Sequence, residues 1–174
     1  MRSGRTKVKR RIYLRPKHMK NARYSIEACP NPVDSCHSAL FIDNSPVAGF
    51  GVFAQATIKP GTFVCEYSGE FLDEDEAVFR EDNVYSLNSD FYLFFVDYKR
   101  KTYAIDPTVG DETKWGKAKY INHSRLNPNC EVHRVIVNNR PHLAIISIRQ
   151  IDEGEELKFD YGDTAVDCDW LRNT

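Results

Sequence analysis

Two stretches of the chain set polar side chains among apolar and aromatic ones: Tyr120-Ile121-Asn122-His123-Ser124, and Glu156-Leu157-Lys158-Phe159-Asp160-Tyr161-Gly162-Asp163. An amide, an imidazole and carboxylates in such company are costly to bury unpaired, so each must find a hydrogen-bond partner or face a ligand. Taken singly, either stretch reads as a loop whose polar side chains are satisfied internally. Asn122-His123-Ser124 also spells a glycosylation acceptor, but no signal peptide precedes it and that reading is set aside. Upstream, Val47-Ala48-Gly49-Phe50-Gly51-Val52-Phe53 places two glycines before an apolar run, where a backbone can approach a ligand closely or adopt positive φ. No glycine-opened helix follows and no strand–helix repeat occurs, which argues against a Rossmann-type cofactor fold. Cys29, Cys36 and His37 lack the close ligand pair of a zinc site, so no metal is expected. Cys65, Cys130, His123, His133 and His142 supply the residue types of a cysteine–histidine hydrolase, but no nucleophile motif frames them.

The elements that must position these residues are mostly short strands. Ala39–Ile42 reads as one; Thr62–Tyr67 alternates after the Lys59-Pro60-Gly61 turn; Phe91–Val96 is a buried run with which Thr102–Asp106 pairs. Glu131–Val137 and His142–Arg149 flank Asn138-Asn139, a pair that tolerates the left-handed conformations of a tight hairpin. Asp73–Asp82 is the best helix, with acids favouring its N-terminal turn, and Lys114–Tyr120 reads as a short helical turn. Many short strands with little helix give a mainly β domain.

A chain of 174 residues suits one domain, and 41% hydrophobic content marks a folded one. It contains no apolar run long enough to span a membrane. Five cysteines, odd in number and irregularly spaced, favour a reducing compartment over a disulfide framework. The net charge of −1 conceals an asymmetry: ten basic residues precede the first acid, Glu27, leaving 14 basic against 25 acidic residues in the remainder. A basic arm on an acidic body suggests a polyanion for the arm and a cationic ligand for the body. Residues 1–24 lack sustained apolar periodicity and read as a flexible basic arm, 25–38 as a loop leading into the domain, and 39–174 as the domain itself.

Laid end to end, Ala39 to Leu171 resembles the SET-domain lysine methyltransferases. Gly49-Phe50-Gly51-Val52-Phe53-Ala54 matches the family's first glycine motif, and Glu66-Tyr67-Ser68-Gly69-Glu70 its Glu-Tyr-x-Gly segment. Tyr120–Ser124 and Asp160-Tyr161-Gly162 complete four motifs in the family's order. Lys101–Asp106, Pro141-His142-Leu143, Tyr161-Gly162-Asp163 and Trp170-Leu171 look most like the PR-Set subfamily, which monomethylates the histone H4 tail.

That resemblance implies several short sheets, little helix and a C-terminal pseudoknot in which one signature segment threads beneath the other. It implies S-adenosylmethionine as cofactor, held by Ala48, Gly49, Phe50, Gly51, Tyr92, Asn122 and His123, with Trp170 over its adenine. Tyr67 and Tyr161 would be catalytic, lining with Phe159 a channel for the substrate lysine. The implied role is methylation of a histone lysine, most directly in the H4 tail, by a monomeric, chromatin-associated nuclear enzyme, with nucleosomal DNA a partner for residues 1–24. A different lysine target, or a catalytically silent histone-tail binder on the same fold, are the rival readings. Three departures bear on detail: Arg125 stands where many relatives place a zinc-binding cysteine, Ala48 where the subfamily has lysine, and Phe159 where it has tyrosine. The last points away from monomethylation, toward dimethylation or beyond.

Overall fold

The computed structural model describes residues 9–14, 40–85 and 90–162, and its elements follow the apolar runs. Among the described residues there are eleven strands: β1 (Lys9–Leu14), β2 (Leu40–Asn44), β3 (Phe50–Ala54), β4 (Phe63–Glu66), β5 (Glu70–Asp73), β6 (Phe91–Tyr98), β7 (Lys101–Asp106), β8 (Asn122–His123), β9 (Cys130–Val137), β10 (Arg140–Ser147) and β11 (Lys158–Phe159). They form three sheets, ordered β1-β6-β7-β5, β4-β10-β9-β11-β8 and β2-β3. The expected mainly β architecture of several short sheets is what the chain adopts.

Local chemistry accounts for the turns. Asn138 and Asn139 close the β9–β10 hairpin at φ 48° and 62°, the left-handed region that asparagine tolerates. Lys99 and Arg100 turn β6 into β7 at φ 49° and 63° with neither glycine nor asparagine to help. This strained turn is tied to the other one: the Tyr98 hydroxyl and the Lys99 ammonium both donate to Asn139 Oδ1.

Helix α1 (Glu74–Phe79) starts where Asp73 Oδ1 accepts from the Glu76 amide at 2.8 Å, with Glu74, Asp75 and Glu76 in its first turn. The helix expected to reach Asp82 instead gives way to a single π-helical turn, Arg80–Val84. At that junction Arg80 is held by Glu70 at 2.7 Å and Glu76 at 2.8 Å, and the Tyr85 hydroxyl beyond it donates to Asp106. The turn expected over Lys114–Tyr120 divides into helix α2 (Glu112–Trp115) and a 3₁₀ turn (Ala118–Tyr120), parted at Gly116, whose φ is 75°.

One expectation is overturned. Residues 9–14, read as part of a flexible arm, form β1, which pairs in parallel with β6 from Lys9↔Phe91 to Leu14↔Val96. Ile12 is 1% exposed within the main core. A single six-residue strand pairing with a distant edge leaves no periodic signature over the 24 residues that contain it. Among the described residues no helix is long and apolar enough to cross a membrane.

Candidate active site

The site is built on a crossing of chain segments. β11 lies between β8 and β9 and runs parallel to both, with Lys158↔Asn122, Phe159↔His123 and Phe159↔Cys130 in register. Asn129, fully buried, clamps the crossing. Its Oδ1 accepts from the Lys158 amide at 2.7 Å, and its Nδ2 donates to the Glu156 carbonyl at 2.8 Å. The Ser124 amide donates to the Phe159 carbonyl at 3.1 Å. The chain from Asn122 to Cys130 therefore passes from one side of β11 to the other.

Asn122 and His123 are consecutive strand residues, so their side chains point to opposite faces. Asn122 Nδ2 donates to Glu156 Oε1 at 2.7 Å and to the Phe50 carbonyl at 3.2 Å, which links it to the glycine motif. His123 Nδ1 accepts from the Tyr161 amide at 3.0 Å, which links it to the final motif. Nδ1 is therefore unprotonated. Burial pushes the His123 imidazole below its ordinary pKa, against the opposing pull of Asp160 at 3.8 Å.

On the His123 side four aromatic rings form a continuous wall. Tyr67 meets Phe94 at 5.0 Å, Phe94 meets Phe159 at 6.3 Å, and Phe159 meets Tyr161 at 4.8 Å between ring centroids. Each of the four is 0–1% exposed. The Tyr161 hydroxyl donates to the Ile121 carbonyl. Tyr67, Phe159 and Tyr161 are thus brought together as expected, and Phe94 joins them.

On the Asn122 side the lining is more open. Gly49 sits at φ 53° and is exposed, and Phe50 keeps 39% of its surface accessible. Tyr120 stands edge-on to both Phe50, at 6.2 Å, and Tyr92, at 5.9 Å. Lys119 lies beneath, 5% exposed, its ammonium donating to the carbonyls of Pro107 at 3.1 Å and Gly110 at 2.6 Å. Burial lowers its pKa, opposed by Glu112, Asp111 and Asp106. Gly51 has a different role from Gly49: a Cβ there would overlap Glu156 Oε1 and come within 3.1 Å of the Ser45 Cβ. Ala48 is half-buried beside this turn. Trp170 lies outside the described residues.

Glu156, Asn129, Phe94 and Lys119 are the residues that sequence reasoning passed over. Glu156 was visible as an acid in an apolar stretch, and Phe94 as a member of the buried Phe91–Val96 run. Nothing local marked Asn129. The hydrolase alternative is not supported by the geometry. Burial pushes the Cys130 thiol up to about 12, withholding the thiolate. His142 donates to Glu66 Oε1 at 2.8 Å and His133 lies 2.6 Å from Glu131 Oε1. Among the described residues no group of three His, Cys, Asp or Glu is placed to hold a metal.

A family model described as SET domain matches residues 49–162. Histone-lysine N-methyltransferase set-1 of Caenorhabditis elegans is 36% identical over 134 residues, covering 74% of this chain and 54% of the relative. Histone-lysine N-methyltransferase Set8 of Drosophila melanogaster is 40% identical over 119 residues, 67% of this chain and 16% of the relative. The chain thus spans about half the length of the first of these relatives and much less of the second. The crystal structure of CpSET8 from Cryptosporidium superposes with TM-score 0.66 at 32% identity, covering 84% of this chain and 70% of that one. The Chaetomium thermophilum polycomb repressive complex 2 gives TM-score 0.64 at 30% identity, over 74% of this chain and 16% of that one. The matched span contains the glycine turn, the aromatic wall and the threaded β11, and the chain belongs to the SET domain family.

Proposed function

We propose that this protein transfers methyl groups from S-adenosylmethionine to a histone lysine, most directly in the H4 tail. The observation that carries the reading is the placement of Asn122 and His123. Adjacent residues join an open, glycine-based face to a buried aromatic wall, so two ligands can meet across one strand.

The residues of the open face fit the cofactor. Aromatic surfaces at Phe50, Tyr92 and Tyr120 suit both an adenine and a cationic sulfonium, and Gly49 leaves the backbone uncovered. Ala48–Gly51, Tyr92, Asn122 and His123 would hold it. When bound, it supplies an electrophilic methyl group.

The wall supplies what the other reactant needs. A lysine must lose its proton to attack, and its reference pKa is about 10.4. Tyr67, Phe94, Phe159 and Tyr161 replace water around the amine and so disfavour the charged form. With its proton committed to the Ile121 carbonyl, the Tyr161 hydroxyl would act toward the amine as an acceptor and aim its lone pair. His123, neutral and engaged through Nδ1, fixes the Tyr161 backbone. Catalysis is then mainly positioning, for which effective molarities of about 10⁵–10⁸ M are attainable.

The histone substrate draws on the names of the relatives, on the PR-Set-like motifs, and on an acidic body suited to a basic tail. A nuclear, chromatin-associated role as a monomer, with DNA contacted by the basic N-terminal residues, follows from the same reading. Incubation with labelled cofactor and each core histone separately, followed by mass mapping, tests it. Label on an H4 lysine supports the proposal, label on another histone moves the target, and label on none refutes it.

A further inference from the structure

We propose that a cavity between the β4–β5 hinge, the start of β10 and α2 is a docking site for an acidic partner peptide, which seats one tyrosine or tryptophan side chain in it. The inference stands apart from the substrate reading above, and its test uses neither cofactor nor histone.

The cavity has a volume of about 210 Å³. That suits one large side chain and falls short of the about 300–1,000 Å³ typical of small-molecule pockets. Phe71, Ile105, Trp115 and Pro141 give it an apolar lining. It abuts the aromatic wall at Tyr67, but Phe94, Phe159 and Tyr161 take no part in its lining. It is therefore a separate space from the one those rings surround.

Two features define the occupant. Glu66, 7% exposed, lines the cavity. Its Oε1 accepts from His142 at 2.8 Å, while its buried Oε2 has no partner among the described residues. A buried carboxylate oxygen calls for a hydrogen-bond donor. Lys114 and Arg140 also line the cavity, are exposed, and make no ion pair among the described residues. Each rests on a ring instead: the Lys114 ammonium lies 4.6 Å from the Trp115 centroid, and the Arg140 guanidinium 4.3 Å from that of Phe71. Glu70 feels Lys114 only at longer range; its carboxyl is lowered chiefly by Arg80, which bridges it at 2.7 Å. Cations seated on rings rather than on carboxylates keep their charge for an incoming anion.

An occupant must therefore bring a donor into the cavity and carboxylates to its rim. A lysine or arginine tip could meet Glu66 but would have to pass two like charges to reach it. A tyrosine O–H or a tryptophan N–H carries the donor uncharged, at the end of an apolar ring. Acidic neighbours in the same peptide then pair with Lys114 and Arg140. By the same argument a basic tail is excluded from this cavity.

The test titrates three capped peptides into the full chain: Asp-Glu-Tyr-Glu-Asp, Asp-Glu-Phe-Glu-Asp and Lys-Arg-Tyr-Arg-Lys. Binding is followed in NMR spectra at the Trp115 indole N–H and at the Arg140 and His142 amides. The acidic tyrosine peptide should shift all three signals saturably. Its phenylalanine counterpart, lacking only the donor, should bind about tenfold more weakly or worse, as loss of a hydrogen bond to a charged group predicts. The basic peptide should leave these signals in place. Lys114→Gln combined with Arg140→Gln, both at exposed positions, should weaken the acidic tyrosine peptide by about tenfold, and added salt should weaken it in wild type. An oxygen of Glu66 that is met only by water gives no saturable shift with any of the three, and that result overturns the inference. So does equal affinity for the phenylalanine or basic peptide, or an affinity indifferent to Lys114 and Arg140.

Discussion

Asn122 Nδ2 donates to Glu156 Oε1 across 2.7 Å, joining segments 34 residues apart in the chain. The same oxygen accepts from the Ser45 hydroxyl at 2.7 Å, and Gly51 leaves the space it occupies. One carboxylate oxygen therefore sets the glycine turn, the first signature stretch and the approach to β11 relative to one another.

Removing that carboxylate leaves the Asn122 and Ser45 donors short of an acceptor, at about 1–3 kcal/mol for each group left unsatisfied. Glu156→Ala should lower the urea midpoint accordingly. Gly51→Ala should cost about 1–3 kcal/mol by overpacking against Glu156. The double variant should be less destabilised than the two changes added together, because Glu156→Ala removes the atom that the new methyl meets. Strict additivity in the unfolding cycle would show that the two positions do not compete for space.

His123 makes stability depend on pH in a definite direction. Its folded pKa lies below the ordinary value of about 6.5, chiefly through burial. The unfolded chain therefore takes up a proton first as pH falls. The stabilisation is complete above about pH 6.5 and is lost as pH drops toward the depressed folded value. An NMR titration of the His123 ring should give a midpoint below that of free histidine, and His123→Asn should lose this part of the pH dependence. A midpoint at or above the free value contradicts the buried, acceptor-only role of Nδ1.

Much of this was legible in the chain. Apolar runs and turn residues located β4, β7, β9 and β10, because each strand is bounded by local signals. The helix at Glu74–Phe79 announced itself through its acidic first turn. The Lys99–Arg100 turn did not, since its left-handed conformation is held by Asn139 forty residues away. β1, β8 and β11 are defined by partners distant in sequence, and no local pattern encodes them. The four motifs foretold which residues would gather. They did not reveal that Glu156 and Asn129 do the gathering, because that depends on which segment passes beneath which.

On the proposed reading, Phe159 would bear on the number of methyl groups added. Its ring lies 4.8 Å from Tyr161, as residues two apart on an extended segment should, and it is 1% exposed in the aromatic wall. A tyrosine there would bring a hydroxyl toward the amine and occupy room that a methylated amine needs to turn. Phenylalanine would leave that room apolar. Carried to long reaction times on unmodified and monomethylated peptides, wild type should yield dimethyl-lysine or beyond, and Phe159→Tyr should shift the mass spectrum toward monomethyl. A wild-type reaction that stops at one methyl contradicts the argument from this residue.

The most direct measurement of the central claim is single-turnover methyl transfer to an H4 tail peptide by wild type and Tyr161→Phe, with cofactor binding titrated in parallel. Tyr161→Phe removes one hydroxyl whose proton is held by Ile121, at a stability cost of about 1 kcal/mol for the lost hydrogen bond. The fold and the cofactor affinity should survive, while the transfer rate falls by about 10²-fold or more, as loss of one oriented polar contact to the reacting group does. Equal rates in a folded variant that binds cofactor normally would remove Tyr161 from the mechanism, and the absence of transfer by wild type would contradict the account as a whole.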